Sequence, residues 1–199
     1  LFAPDENGKA LSNWPRPRRI GGEGIHIAIH LQLLPDGKIA LTGVTKSYPN
    51  SANNHSFLLI TSSIGGVTYA GWIESTQDEE GNCVRSLGSN NFLITGVVKN
   101  PSGSTGNDIL LMEVNTSLPK ISVERFNLGQ AGTEYGKDLL TDGNGFVVLA
   151  EMATPSNSRI ALISTSTAGT NPEYSYFGES SQMIPGSVIR SSDGGFLIS

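Results

Sequence analysis

At 199 residues the chain has the length of one domain or two small ones, and it can bury a hydrophobic core without disulfides or a metal to hold it. Charged residues make up 16%, against about a quarter in a typical soluble domain, and glycine alone fills 24 positions, a composition of strands and turns and not of long solvated helices. A formal net charge of −5 excludes nucleic acid as the main partner, and apolar runs such as Phe57 to Ile60 and Phe146 to Ala150 are too short to cross a bilayer as helices.

The chain opens at Leu1-Phe2-Ala3-Pro4, with neither an initiator methionine nor a signal-like leader, so the expectation is that something preceding Leu1 has been removed. Residues 1–19 read as an N-terminal segment, with a strand expected around Lys9 to Trp14. Its Arg16, Arg18 and Arg19 form a solvated edge or a docking strand for another chain.

From Ile25 onward, Ile25, Ile27, Ile29, Leu31 and Leu33 alternate with His26, Ala28, His30 and Gln32, the period of a strand. Asp36-Gly37 suits a two-residue hairpin into a second strand, Lys38 to Val44. A polar stretch from Thr45 to His55 leads to a third strand, Ser56 to Thr61, and a turn over Ser62 to Gly66 leads to a fourth, Val67 to Glu74. The same four-strand order recurs near 82–128 and 135–177, and a fourth copy begins at Ile184 and carries only its first two strands. Ile39, Phe92, Phe146 and Phe196 mark the period, with spacings of 53, 54 and 50. Trp72, Phe126 and Phe177 recur on the same beat and are expected in the core.

Four antiparallel strands per repeat of about 40–50 residues, with no helix between them, predict an all-β fold, a β-propeller with blades over 20–75, 76–128, 129–178 and, in part, 179–199. A β-sandwich explains the strands but gives no reason for the period. About three and a half blades do not close a ring, so the expectation is that residues beyond Ser199 or another subunit cover the open blade.

The repeated phrase of a strand, Asp193-Gly194-Gly195-Phe196-Leu197-Ile198, a polar loop and an Ile109-Leu110-Leu111 strand resembles the propeller-type repeats of surface and secreted proteins in Bacteroidota and related bacteria. The resemblance covers roughly residues 20–199. It implies an exported protein at the outer membrane surface or secreted, in some members lipid-anchored and in some an accessory subunit of an outer-membrane nutrient-uptake complex. The lipidated cysteine of such proteins is not at the start of this sequence.

In an up-and-down blade the loops joining strands two and three share one end with the links between blades. Those long loops, on a rigid scaffold, are the expected binding face. The candidates on it are Tyr48, Asn53, His55, Glu79, Glu80, Asn107, Glu134, Tyr135, Glu179 and Gln182. Glu23, Glu79 or Glu80, Glu134 and Glu179 recur in the links, either as a ring able to hold a cation or cleave a glycoside, or as structural groups that each satisfy the N–H groups of their own turn. Repetition favours the structural reading, because acid–base catalysis needs two unlike carboxylates. Tyr48, Tyr135 and Tyr176 could stack on sugar rings.

No catalytic residue, metal site or cofactor is expected. Cys83 is the sole cysteine, read as a buried structural thiol. His26 and His30 would be about 13 Å apart on a strand, too far to grip one ion. Asp142-Gly143-Asn144-Gly145 is explained by turn geometry and not by calcium. The expected function is a non-enzymatic binding or accessory subunit for protein subunits of a surface complex or for a polysaccharide or peptide. The alternatives are a glycan-active hydrolase or lyase, and a structural spacer in a longer array.

Overall fold

A computed structural model describes residues 24–46, 52–88, 90–99, 106–117, 122–128, 132–141, 145–154, 156–178 and 183–199, and among them all regular structure is β. The first sheet is built from β1 (His26–Leu33), β2 (Ile39–Thr45), β3 (His55–Thr61) and β4 (Val67–Trp72). The second comprises β5 (Asp78–Gly88), β6 (Asn91–Lys99), β7 (Asp108–Asn115) and β8 (Ser122–Asn127). The third comprises β9 (Thr133–Thr141), β10 (Gly145–Ala153), β11 (Ser158–Ser166) and β12 (Glu173–Phe177). A two-stranded sheet of β13 (Val188–Arg190) and β14 (Phe196–Ile198) comes last. Among the described residues every pairing is antiparallel and joins strands consecutive in the chain, and no sheet closes on itself.

Alternation along the middle strands sorts residues onto two buried faces. In β6 and β7, Phe92, Ile94, Leu110 and Met112 pack with Ala40, Leu58 and Ile60 of the first sheet. Their neighbours Leu93, Ile109 and Leu111 face the other way, onto Phe146, Val148 and Ile163 of the third. Val147, Leu149, Ile160 and Leu162 then meet Val188, Phe196 and Ile198. Burial on both sides explains why these strands read as continuous apolar runs. The first strand of each later sheet packs on the sheet before it: β5 on β1 to β3, β9 on β5 to β7, and β13 on β9.

The first hairpin corrects the expectation of a two-residue turn. Gly37 donates to Leu34 O at 2.9 Å while Leu34 donates to Lys38 O at 2.8 Å, so Pro35, Asp36 and Gly37 form a three-residue loop. Gly37 supplies its left-handed position at φ +79°. The same pair of bonds recurs around Gly65, Gly169 and Gly194, each with positive φ. Asp142 to Asn144, the corresponding turn of the third sheet, lies outside the described residues.

The recurring aromatics are also corrected. Phe126 is buried against Phe146, with ring centroids 6.1 Å apart, but Trp72 is 46% exposed and Phe177 44%. Register explains Trp72. Phe126 pairs with Leu111, opposite Thr95, whereas Trp72 pairs with Phe57, opposite Gly43, one position out of step. A slip of one residue turns a side chain to the other face, here the one that the second sheet does not cover. Phe177 faces the two-stranded sheet, which reaches only the inner strands.

Candidate functional site

The first strands of the three larger sheets share an irregularity at one place. Pairing skips Ile29 between Ala28 and His30, Asn82 between Gly81 and Cys83, and Lys137 between Gly136 and Asp138. Each skipped residue is a β-bulge, which bends the strand and re-aims the side chain next to it. Small residues make room for it. A Cβ on Gly43 or Gly96, across from the bulge, would lie 1.9 Å from the carbonyl oxygen of Ile27 or Glu80. A Cβ on Gly81 or Gly136 would lie 2.3 Å from Thr42 Oγ1 or 2.4 Å from Thr95 Oγ1 of the preceding sheet.

Immediately after each bulge stands a polar or polarisable side chain. His30 pairs with Thr42, Cys83 with Thr95 and Asp138 with Leu149, the same register position in three successive sheets. All three face forward, toward the next sheet, so three unlike groups converge. Cys83 Sγ lies 3.0 Å from Asp138 Oδ1 and 3.8 Å from His30 Nε2. Arg85, two residues on from Cys83, closes the group. Its Nη2 donates to Asp138 Oδ1 at 2.8 Å, its Nη1 to His30 Nε2 at 2.9 Å and its Nε to Leu139 O at 3.0 Å. Asp138 Oδ2 accepts from Val188 N at 3.0 Å, and Oδ1 also from Leu139 N at 2.8 Å.

The donor-only guanidinium fixes the ionic states. His30 Nε2 faces it and Nδ1 faces the Val84 N–H at 3.4 Å, so both ring nitrogens meet donors and the doubly protonated imidazolium is disfavoured. Burial, aided by Arg85 and opposed by Asp138, holds its pKa below 6.5. Burial pushes the Cys83 thiol well above its ordinary range, the hydrogen bond to Asp138 adds to this, and Arg85 opposes it. The balance favours the protonated thiol, which donates to Asp138. Among the described residues, His30, Cys83 and Asp138 form a group whose potential metal-ligand atoms all lie within 4.8 Å of one another.

Beside this cluster is a pocket of about 520 Å³ lined by Ile29, His30, Asn82, Arg85, Lys137, Asp138, Gly186, Ser187, Val188 and Ile189. Ile29, Asn82 and Lys137 are the three bulge residues, and Ser187 precedes Val188 as they precede His30, Cys83 and Asp138. One strand position repeated four times thus supplies the wall. Asn82 Nδ2 donates to Gly136 O at 2.8 Å, and Lys137 Nζ pairs with Glu151 at 2.9 Å.

The residues expected on the loop face mostly serve the joints between sheets. Glu79 is buried and accepts from Arg125 Nε and Nη2, both at 3.2 Å, while its N–H donates to Asn54 O at 3.0 Å. Glu134, one repeat on, is buried with its N–H on Asn107 O at 2.8 Å. Glu80 pairs with Lys99. Asn53 Nδ2 donates to Thr76 O at 2.8 Å, and Asn107 Nδ2 to Tyr135 Oη at 3.1 Å. Lys137 Nζ stands 5.0 Å from the Tyr135 ring centroid, and His55 is buried at the start of β3. Tyr48, Glu179 and Gln182 lie outside the described residues. None of the described candidates lines the pocket.

The sequence singles out none of Arg85, Asp138 and Lys137. The signal that marks the site is a small residue two positions ahead of a polar one at the repeat spacing: Ala28-Ile29-His30, Gly81-Asn82-Cys83 and Gly136-Lys137-Asp138. No protein-family model matches the chain, and no curated protein gives a significant match. Among the described residues, no helix is long and apolar enough to cross a membrane.

Proposed function

We propose that the chain is a run of β-propeller blades whose central strands are β1, β5, β9 and β13, and that it serves as a non-enzymatic binding module at a bacterial surface or in a secreted assembly. What supports the propeller reading is the stacking: each later sheet packs its first strand on its predecessor, and those four strands line one pocket. The observation that carries the binding reading is the state of the groups in that pocket. Asp138, the carboxylate in its lining, already accepts from Arg85 and two backbone N–H groups, so it is not poised as an acid or base. Cleaving a glycoside in the usual way needs two carboxylates across the bond. The rest of the lining offers donors from Asn82, Lys137 and Ser187 between the apolar walls of Ile29 and Ile189, which fits a ligand rich in acceptor oxygens, such as an acidic polysaccharide or a peptide main chain. A surface location rests on the repeat pattern of the sequence.

Calorimetry of the full chain against a panel of acidic and neutral polysaccharides and peptides tests this reading. Saturable binding, weakened by Asn82→Ala and Lys137→Ala without release of reducing ends, is expected. Reducing ends produced by the wild type and lost in Asp138→Asn would establish an enzyme instead.

A further inference from the structure

We infer that His30, Cys83 and Asp138 form a site for a zinc-type divalent cation, in which the Arg85 guanidinium is a displaceable occupant of the metal position. The inference is independent of what the pocket binds. The donor set is one imidazole nitrogen, one sulfur and one carboxylate oxygen, a combination suited to zinc and poorly suited to magnesium or calcium. Zinc bonds of about 2.0–2.3 Å at tetrahedral angles set ligand atoms about 3.3–3.6 Å apart. The observed separations from Sγ, 3.0 Å to Asp138 Oδ1 and 3.8 Å to His30 Nε2, bracket that span, so small side-chain shifts complete the geometry.

Charge supports the same arrangement. Arg85 already places positive charge between two of the donors, 2.9 Å from Nε2 and 2.8 Å from Oδ1. With a carboxylate, a guanidinium, a neutral thiol and a neutral imidazole the cluster sums to zero. When the cation enters, the Cys83 S–H bond breaks, its proton leaves to solvent, and the sulfur donates its electron pair to the metal with no change of oxidation state. Arg85 swings out as the cation enters, and two positive charges then face a thiolate and a carboxylate, so the sum is again zero. Arg85 has somewhere to go, since its side chain is 22% exposed and borders the pocket. Three protein ligands leave the fourth coordination position open. The Val188 N–H on Asp138 Oδ2 is the outer contact that orients the carboxylate. Because the ligands come from three sheets, the ion would clamp their central strands together.

The test is titration of the reduced, metal-free full chain with Co²⁺ and then Zn²⁺. The expected result is a thiolate-to-cobalt charge-transfer band in the near ultraviolet with intense tetrahedral bands in the visible. They should saturate at one equivalent and be erased by zinc, with one proton released per ion by calorimetry in two buffers. Cys83→Ser should abolish the charge-transfer band, and Arg85→Gln should tighten cobalt binding by about tenfold or more, since no cation then has to be displaced. A folded wild type that takes up no cobalt, or takes it up without the thiolate band or the released proton, overturns the site. Binding by a folded Arg85→Gln chain no tighter than wild type overturns the displacement. The wild-type measurements decide the matter even where a variant does not fold.

Discussion

Cys83 donates its thiol hydrogen to Asp138 Oδ1 across 3.0 Å, although the two residues belong to different sheets. They stand at the same register position of successive repeats, each just after a bulge, and each turned toward the next sheet. The bond therefore runs between the first strands of successive sheets and joins one repeat to the next. Burial and the carboxylate acceptor both disfavour the thiolate, the reactive form. In metal-free protein Cys83 should resist a thiol-specific reagent such as a disulfide dye at pH 8 until the second and third sheets part. Labelling should then track the opening of the fold, accelerating in step with added denaturant. Prompt stoichiometric labelling of the folded chain would show that the sheets do not enclose this sulfur.

The glycines ahead of the bulges make a second, graded prediction. A Cβ on Gly136 would meet Thr95 Oγ1 at 2.4 Å and also the backbone of Gly96, its oxygen at 2.9 Å and its nitrogen at 3.1 Å. On Gly81 the three nearest atoms, Thr42 Oγ1, Ser56 Oγ and Ile94 Cγ2, all belong to side chains. Side chains rotate and paired backbone does not. Gly136→Ala should therefore cost about 1–3 kcal/mol in denaturant unfolding, and Gly81→Ala clearly less. Equal losses would mean that the third sheet does not rest on the second in this way.

Much of the fold is legible in the sequence because both strand pairing and face burial leave periodic traces. The expected strand over Ser56 to Thr61 differs from β3 by one residue, and that over Val67 to Glu74 runs two residues past β4. The bulges leave no such trace. Ile25 to Leu33 alternates without a break, so His26 and His30 read as sharing a face. In the structure Ile29 is skipped, and the two turn to opposite faces: His26 Nδ1 lies 3.0 Å from Thr45 Oγ1, and His30 pairs across from Thr42. A group that depends on the bulge is therefore invisible to alternation. The loop residues drew attention because long loops often bind ligands, yet Glu79 and Glu134 are buried where one sheet's first strand meets the preceding sheet's loop.

The Arg85–Asp138 pair should show strong coupling. Asp138 is nearly buried, and its removal strands both the guanidinium and the Val188 N–H. Asp138→Ala should cost about 3 kcal/mol, and Arg85→Ala somewhat less, since the carboxylate keeps two backbone donors. The double variant should be destabilised by less than the sum, with a coupling energy of about 1–3 kcal/mol. Additive losses in urea unfolding would show that the ion pair holds nothing together.

His30 gives the fold a pH dependence whose sign comes from its lowered pKa. In the unfolded chain the imidazole takes up a proton near its ordinary value of about 6.5. In the folded chain burial and the facing Arg85 resist that proton, while Asp138 only partly favours it. Between those two pKa values the unfolded state binds more protons, so stability from this residue is complete above about pH 6.5 and falls as pH drops toward the folded value. Carboxylates also titrate toward the acid end, which makes the comparison with His30→Gln the decisive one, because the glutamine oxygen can still accept from Arg85. Urea midpoints measured from pH 7.5 to 5 should fall more steeply for the wild type than for His30→Gln. Parallel curves would mean that His30 is as free to protonate in the folded chain as in the unfolded one.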